Sequence, residues 1–279
     1  MKSSPHVLTR IGKIRYTNCL PFYHRLNESS DFEFFETYPA EINEALHQEK
    51  VDIAPVSSLE YLKHQNQYYL LPGLSITACD FSGSVILFSK KKIEDLNGAK
   101  IALSKESLSS VTLLQILLKS KFHFENTFET VPSEPEKMLA EYPAALVIGD
   151  DALFYQPKEF IYKYDLSEQW WRWMTKPFCF AVWAVRRQFA DEHPEEVAEF
   201  SRLLKENLDK NLEHLETLLK DALNLTFMDA KYSKIFGYLF NLHYGMDAQI
   251  LEGLESFYKL AHEQGLAPQP APFEFFKIN

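Results

Sequence analysis

Glycine is scarce in this chain, nine residues in 279, and none of them falls into a GxGxxG or P-loop arrangement. Loops that cradle a nucleotide phosphate need glycines where the backbone approaches the ligand, so dinucleotide-binding and P-loop chemistry are excluded. Cysteine is scarcer still. Cys19, Cys79 and Cys179 are odd in number, widely spaced and without a CxxC pair. Neither a disulfide framework nor a thiolate zinc site is expected from them. HExxH is absent, and His24, His64 and His123 show no metal-ligand spacing, so no metal and no cofactor is expected. Basic residues are outnumbered, 29 against 39 acidic, for a net charge of −10. Without a basic stripe to neutralise phosphates, a nucleic-acid partner is excluded. Long apolar runs are missing as well. The longest, Phe178 to Val185, is eight residues, far short of the roughly 20 that a membrane helix needs. Residues Met1 to Arg10 hold no apolar stretch of signal-peptide length, so the expected location is the cytoplasm.

What is present is an α/β pattern with ample apolar content for a core, 46% of the residues. Lys13–Tyr16 reads as a strand, Leu20–Leu26 as a helix, Phe32–Phe35 as a strand and Ala40–His47 as a helix. Asp52–Val56 reads as a buried strand and Leu59–His64 as a helix, with Ser57 and Glu60 placed as a capping box. Ser84–Ser89 is a further strand, and Lys90–Gly98 is charged and turn-rich. A second run follows with a strand at Lys100–Leu103, a helix at Ser110–Lys119 and a strand at Ala144–Ile148. A short helix is expected from Asp151 to Phe154. Trp170, Trp171 and Trp173, read as core aromatics, precede the apolar strand at Phe178, and His193 to Gln264 is amphipathic and helical. Such alternation predicts a largely parallel sheet.

Small polar residues follow nearly every strand candidate: Thr17 and Asn18, Ser57 and Ser58, Ser104 with Ser107, Ser109 and Ser110, then Gly149 and Asp150. In an open α/β sheet these turns face the crevice at the carboxyl ends of the strands, where ligands bind. Helix N-termini and hydroxyls there hold an anion through N–H and O–H donors, without an arginine. Singly, each residue is equally well read as a helix cap, since Ser, Thr, Asn and Asp are all preferred caps. The set favours a site. Ser84 lies outside any GxSxG elbow, which argues against a serine hydrolase.

The segment Ile14-Arg15-Tyr16-Thr17-Asn18-Cys19-Leu20-Pro21 resembles the opening motif of the chorismate dehydratases of the futalosine route to menaquinone. The likeness continues through Val51-Asp52-Ile53-Ala54-Pro55-Val56-Ser57-Ser58-Leu59-Glu60-Tyr61 and Ser84-Val85-Ile86-Leu87-Phe88-Ser89. It extends to Ser109-Ser110-Val111, Val147-Ile148-Gly149-Asp150-Asp151-Ala152-Leu153 and Pro177-Phe178-Cys179-Phe180-Ala181-Val182-Trp183-Ala184. The resemblance implies an α/β, two-lobed fold like a type II periplasmic binding protein, with the ligand cleft between the lobes. On that pattern residues 1–89 and 178–279 form the first lobe and 90–177 the second, with crossovers at Lys90–Gly98 and at the Trp-rich stretch. Two segments depart from the family pattern: Met174-Thr175-Lys176 stands for the usual Thr-Gly-Leu, and Ser107-Leu108-Ser109 for a Thr/Arg-rich loop.

The resemblance also implies a reaction, loss of water from chorismate to give 3-[(1-carboxyvinyl)oxy]benzoate, driven by aromatisation and requiring no cofactor. The family's key Asn and Ser map to Asn18 and Ser84, expected to orient the substrate and to bind a carboxylate or the departing hydroxyl. Thr17, Ser57, Ser58, Ser109, Ser110, Gly149 and Asp150 are the expected substrate-binding set. Two other classes share the fold: a solute-binding or sensor protein that only traps a small carboxylate, and a related pathway enzyme acting on a futalosine-derived nucleoside.

Overall fold

The computed structural model describes residues 8–26, 32–105 and 107–278. Its first third runs β1 (Thr9–Ile14), a 3-10 turn (Thr17–Cys19), α1 (Leu20–Tyr23), β2 (Phe32–Thr37) and α2 (Pro39–His47). It continues with β3 (Ile53–Ser57), α3 (Ser58–Lys63) and β4 (Tyr68–Ala78). Then come β5 (Val85–Ser89), β6 (Lys100–Ser104), α4 (Leu108–Ile116), β7 (Thr127–Val131), α5 (Pro135–Glu141) and β8 (Ala144–Ile148). α6 (Gly149–Phe154), β9 (Tyr162–Asp165) and α7 (Leu166–Met174) complete this part. The chain ends with β10 (Phe178–Arg186), α8 (Arg187–Glu192), α9 (Pro194–Glu213), α10 (Leu215–Leu223), α11 (Tyr232–Asn241), β11 (Leu242–His243) and α12 (Ala248–Glu263).

Two sheets result, ordered β11-β4-β10-β3-β1-β2 and β7-β6-β8-β5-β9. β3, β5 and β8 are buried at every position, as strands covered on both faces must be. β1 lies so close to its neighbours that a Cβ on Gly12 would sit 2.7 Å from the Ala54 side chain. That contact fixes where the turn after β1 emerges.

The expectation of a largely parallel sheet is corrected. β1 pairs parallel with β2 and β3, and β6 with β7 and β8, while every pairing of β5 and β10 is antiparallel. The reason is geometric. β5 and β10 are the strands by which the chain enters a sheet from the other one, so they start at the cleft. They run away from it, against the strands that deliver their turns to it. The expected boundary at 89/90 is also corrected, because Val85–Ser89 pairs with β8 and β9 in the second sheet. The chain first passes between sheets at 79–84, not at Lys90–Gly98, and it returns between β9 and β10.

Two local readings shift as well. The first strand ends at Ile14, leaving Tyr16 outside it, and the following helix is a short turn ending at Tyr23 rather than reaching Leu26. Neither Thr17 nor Asn18 is a helix cap. The residues that precede the turn and α1 are Tyr16 and Cys19, and neither makes a side-chain cap bond.

Candidate functional site

The ends of β1, β3, β6 and β8 and the starts of β5 and β10 face one cleft between the sheets, which takes in about 640 Å³ including its open mouth. That size is ordinary for a small-molecule site. Ile14, Ile76, Val85, Leu108 and Phe180 supply apolar walls, and Asn18, Ser57, Ser84, Ser107, Ser109 and Ser110 the polar groups. None of the described residues lining it carries a charge.

Asn18 projects from the 3-10 turn after β1. Its backbone oxygen accepts from the Tyr244 hydroxyl at 2.9 Å, while its Oδ1 is buried and has no hydrogen-bond partner among the described residues. A buried amide oxygen left unpaired costs about 1–3 kcal/mol. Ser84 opens β5 and is 5% exposed. Its Oγ accepts from the Tyr238 hydroxyl at 2.9 Å, and its carbonyl accepts from the Gly149 N–H at 2.8 Å. With that lone pair engaged by Tyr238, the Ser84 hydroxyl keeps its own proton to donate.

The serines form one network across the cleft. Ser109, in the first turn of α4, has its Oγ 2.7 Å from Ser57 Oγ and 2.9 Å from Ser58 Oγ, and it accepts from the Leu59 N–H at 3.1 Å. Ser57 makes no side-chain cap bond to its own helix, so the expected capping box with Glu60 does not form. Its backbone N–H donates instead to Asn43 Oδ1 at 3.0 Å. The first turn of α3 is thus satisfied from the other sheet. Ser107 does cap α4, accepting from the Ser110 N–H at 3.2 Å.

Three of the expected binding residues stand behind the wall rather than on it. Ser58 is fully buried and donates to the Cys179 carbonyl at 2.8 Å. Asp150 accepts from the Thr17 N–H at 3.2 Å and from its hydroxyl at 3.0 Å, which ties the turn after β1 to α6. Burial pushes the Asp150 carboxyl up, and the Thr17 bonds pull it back. Gly149 is on the wall and has no room for another residue. Its φ is +63° and an added Cβ would lie 2.6 Å from the Tyr16 ring. Cys19 also faces the cleft, but burial raises its thiol far above the ordinary range, so it stays a neutral thiol. Tyr16, Tyr238 and Tyr244 touch Gly149, Ser84 and Asn18, and the sequence reading did not single them out for the site. Tyr16 lies within the motif itself, whereas the other two lie in the C-terminal region beyond every motif.

His47, Glu60 and His64 bring potential ligand atoms within 4.8 Å of one another. They lie in a separate groove beyond α3 that Lys63 and Lys105 also line, and those ammonium groups oppose a cation. Among the described residues no helix is long and apolar enough to cross a membrane.

A protein-family model described as menaquinone biosynthesis matches residues 9–263. A chorismate dehydratase from Thermus thermophilus is 36% identical over 200 residues, 66% of this chain and 71% of that protein. Among solved structures, a protein from Archaeoglobus fulgidus superposes with a TM-score of 0.69 at 18% identity, covering 92% of this chain and 97% of that one. The alkanesulfonate-binding protein SsuA from Xanthomonas axonopodis pv. citri, bound to MOPS, gives 0.65 at 18% identity over 95% and 96%. The fold is therefore that of the periplasmic binding proteins, two α/β lobes about a cleft.

Proposed function

The chain belongs to the menaquinone biosynthesis family, and from that membership we propose that it is a chorismate dehydratase, a lyase acting in the cytoplasm. The relative of that name supports the reading. The observation that carries it is the pairing, in one uncharged cleft, of the unpartnered Asn18 Oδ1 with a Ser84 hydroxyl free to donate.

Chorismate is a dianion whose cyclohexadiene ring becomes flat and aromatic only when water is lost. Phe180, Ile76 and Val85 offer it apolar walls, and the hydroxyls of Ser107 and Ser110 at the start of α4 offer donors beside the positive end of a helix dipole. Asn18 orients the substrate by hydrogen bonds, and Ser84 donates to a carboxylate or to the hydroxyl on ring carbon 4. The proton on ring carbon 3 is acidified by the diene conjugated to the ring carboxylate. Its transfer, followed by departure of the hydroxyl as water, gives an aromatic ring. Cys19 is a neutral thiol and none of the described residues lining the cleft is a carboxylate, so we assign that proton to the substrate's own side-chain carboxylate. The residues then supply orientation and stabilise developing negative charge.

The test is incubation of the purified protein with chorismate, read by the absorbance and mass of the aromatic product. Turnover that persists after exhaustive chelation is expected. Binding without turnover would make the chain a solute-binding or sensor protein, and activity on a futalosine-derived nucleoside alone would move it to another step.

A further inference from the structure

Asp165 is 2% exposed and accepts hydrogen bonds from two separate stretches of chain. Its Oδ1 accepts from the Ser167 N–H at 3.0 Å, the Ser167 hydroxyl at 2.6 Å and the Glu168 N–H at 3.3 Å. Its Oδ2 accepts from the Ser82 N–H at 3.1 Å, the Ser82 hydroxyl at 2.9 Å and the Gly83 N–H at 2.7 Å. The first set is the N-cap of α7, on the return passage between the sheets. The second set lies on the outward passage at 79–84. One carboxylate joins both.

The Oδ1 side alone suffices to cap α7, so capping gives no account of the Oδ2 side. What that side holds is the residue pair directly before Ser84. Gly83 turns there with φ +72°, and the Ser84 N–H donates to Ser82 Oγ at 3.4 Å. We propose that Asp165 is a positioning residue. It clamps Ser82 and Gly83 to the return passage so that the Ser84 hydroxyl is held in the cleft against Tyr238. The clamp sits where both passages meet, so relative movement of the sheets carries Ser84 with it. This rests on the reading that Ser84 acts on the substrate.

Asp165→Asn separates the two halves of the arrangement. Asn caps a helix nearly as well as Asp, so its one oxygen keeps α7 while its amide N–H2 faces the donors of Ser82 and Gly83. The expected result is a folded protein whose kcat falls by about tenfold to a hundredfold, the scale of a small misplacement of a reacting group. In a Ser84→Ala background, Asp165→Asn should slow turnover by no more than about twofold, because a group acting only through Ser84 has nothing left to position. Amide hydrogen exchange at Gly83 and Ser84 should quicken while the amides of α7 keep their protection. Losses that multiply in the double variant, or unchanged exchange at Gly83 and Ser84, would overturn the clamp. Near-normal turnover in Ser84→Ala alone would instead overturn the role of Ser84, and the exchange measurement would still decide the clamp.

Discussion

At the scale of single residues, the structure separates side chains that hold the fold from those kept ready for a ligand. Asn18 makes no cap bond and leaves Oδ1 unpaired, so Asn18→Asp removes nothing that the fold uses. It does remove the N–H donors and adds a negative charge to a cleft that, on the proposed function, takes a dianion. The expected outcome is a melting temperature near that of the wild type and turnover lower by on the order of a hundredfold, the scale of losing one oriented donor. Chorismate assays beside thermal melts check both, and normal turnover would remove Asn18 from the site. At this scale much was legible in the sequence. Asn18, Ser57, Ser109, Ser110 and Gly149 all reach the cleft, since polar residues after strands converge at the carboxyl ends of a sheet, whereas Ser84, just before β5, was pointed to by the resemblance alone. The roles of Thr17, Ser58 and Asp150 were not legible, because whether a hydroxyl faces the ligand or a neighbouring carboxylate depends on contacts across 133 positions of chain. Tyr238 was hidden for a related reason: on an amphipathic helix a tyrosine reads as core until its hydroxyl is seen on Ser84.

Elements carry their own consequences. α7 ends at Thr175, which is held in the left-handed region with φ +54°, its N–H donating to the Trp171 carbonyl at 2.8 Å. A β-branched residue pays most for that conformation and glycine least. Thr175→Gly, which restores the glycine of the resembling family, should stabilise the protein by about 1 kcal/mol, visible as a higher melting temperature. A lower one would show that the Thr175 side chain has an unrecognised part in holding the helix end. The opposite ends of the strands are fixed by charge. Asp52, before β3, accepts from the Arg10 side chain at 2.9 and 2.6 Å and from Arg186 at 2.8 Å, joining β1, β3 and β10 away from the cleft. Burial disfavours the Asp52 carboxylate, but these bonds outweigh it and hold its pKa below the usual value. A carboxyl whose folded pKa is depressed adds stability above its unfolded pKa, near 3.9, and loses it as the pH falls through the folded value. Asp52→Asn should therefore cost roughly 3 kcal/mol at pH 7, towards the lower end because Glu49 also neutralises Arg186, and the gap from wild type should narrow below about pH 4. Melts of both proteins across that range decide it, and a gap that stays constant would contradict the assignment. The strands themselves were unevenly legible. β3, β5 and β8 announce themselves as short apolar runs, whereas β4 hides. It received no assignment from the sequence, and Pro72 and Gly73 form a bulge, Gly73 at φ +71°, inside a strand that pairs with β10 on both sides of it.

The whole molecule is two lobes joined by one continuous apolar core and by polar contacts across the cleft. The two lobes were implied by the family resemblance, but the point of passage between them was placed wrongly, because an apolar strand such as β5 fits either sheet until its partners are known. Across the cleft, Ser109 meets Ser57, Ser58 and the Leu59 N–H, and Asp150 meets Thr17. Each such bond contributes on the order of 1 kcal/mol, so one substitution changes how firmly the two rims of the cleft meet. Ser109 carries three of these contacts in a single oxygen. Ser109→Ala leaves the first turn of α3 without its partner from the second sheet and should shift the unliganded protein toward an opened arrangement. Small-angle scattering should then give a larger radius of gyration for Ser109→Ala than for wild type. Saturating aromatic product should bring the two radii together, because a ligand that binds only the closed state favours it by its differential affinity. The same argument sets the kinetics. Opening taxes binding by the fraction of competent molecules, so KM should rise in Ser109→Ala while kcat at saturation changes little. Equal radii without ligand, together with a fall in kcat and an unchanged KM, would make Ser109 a participant in the chemical step rather than the latch of the cleft.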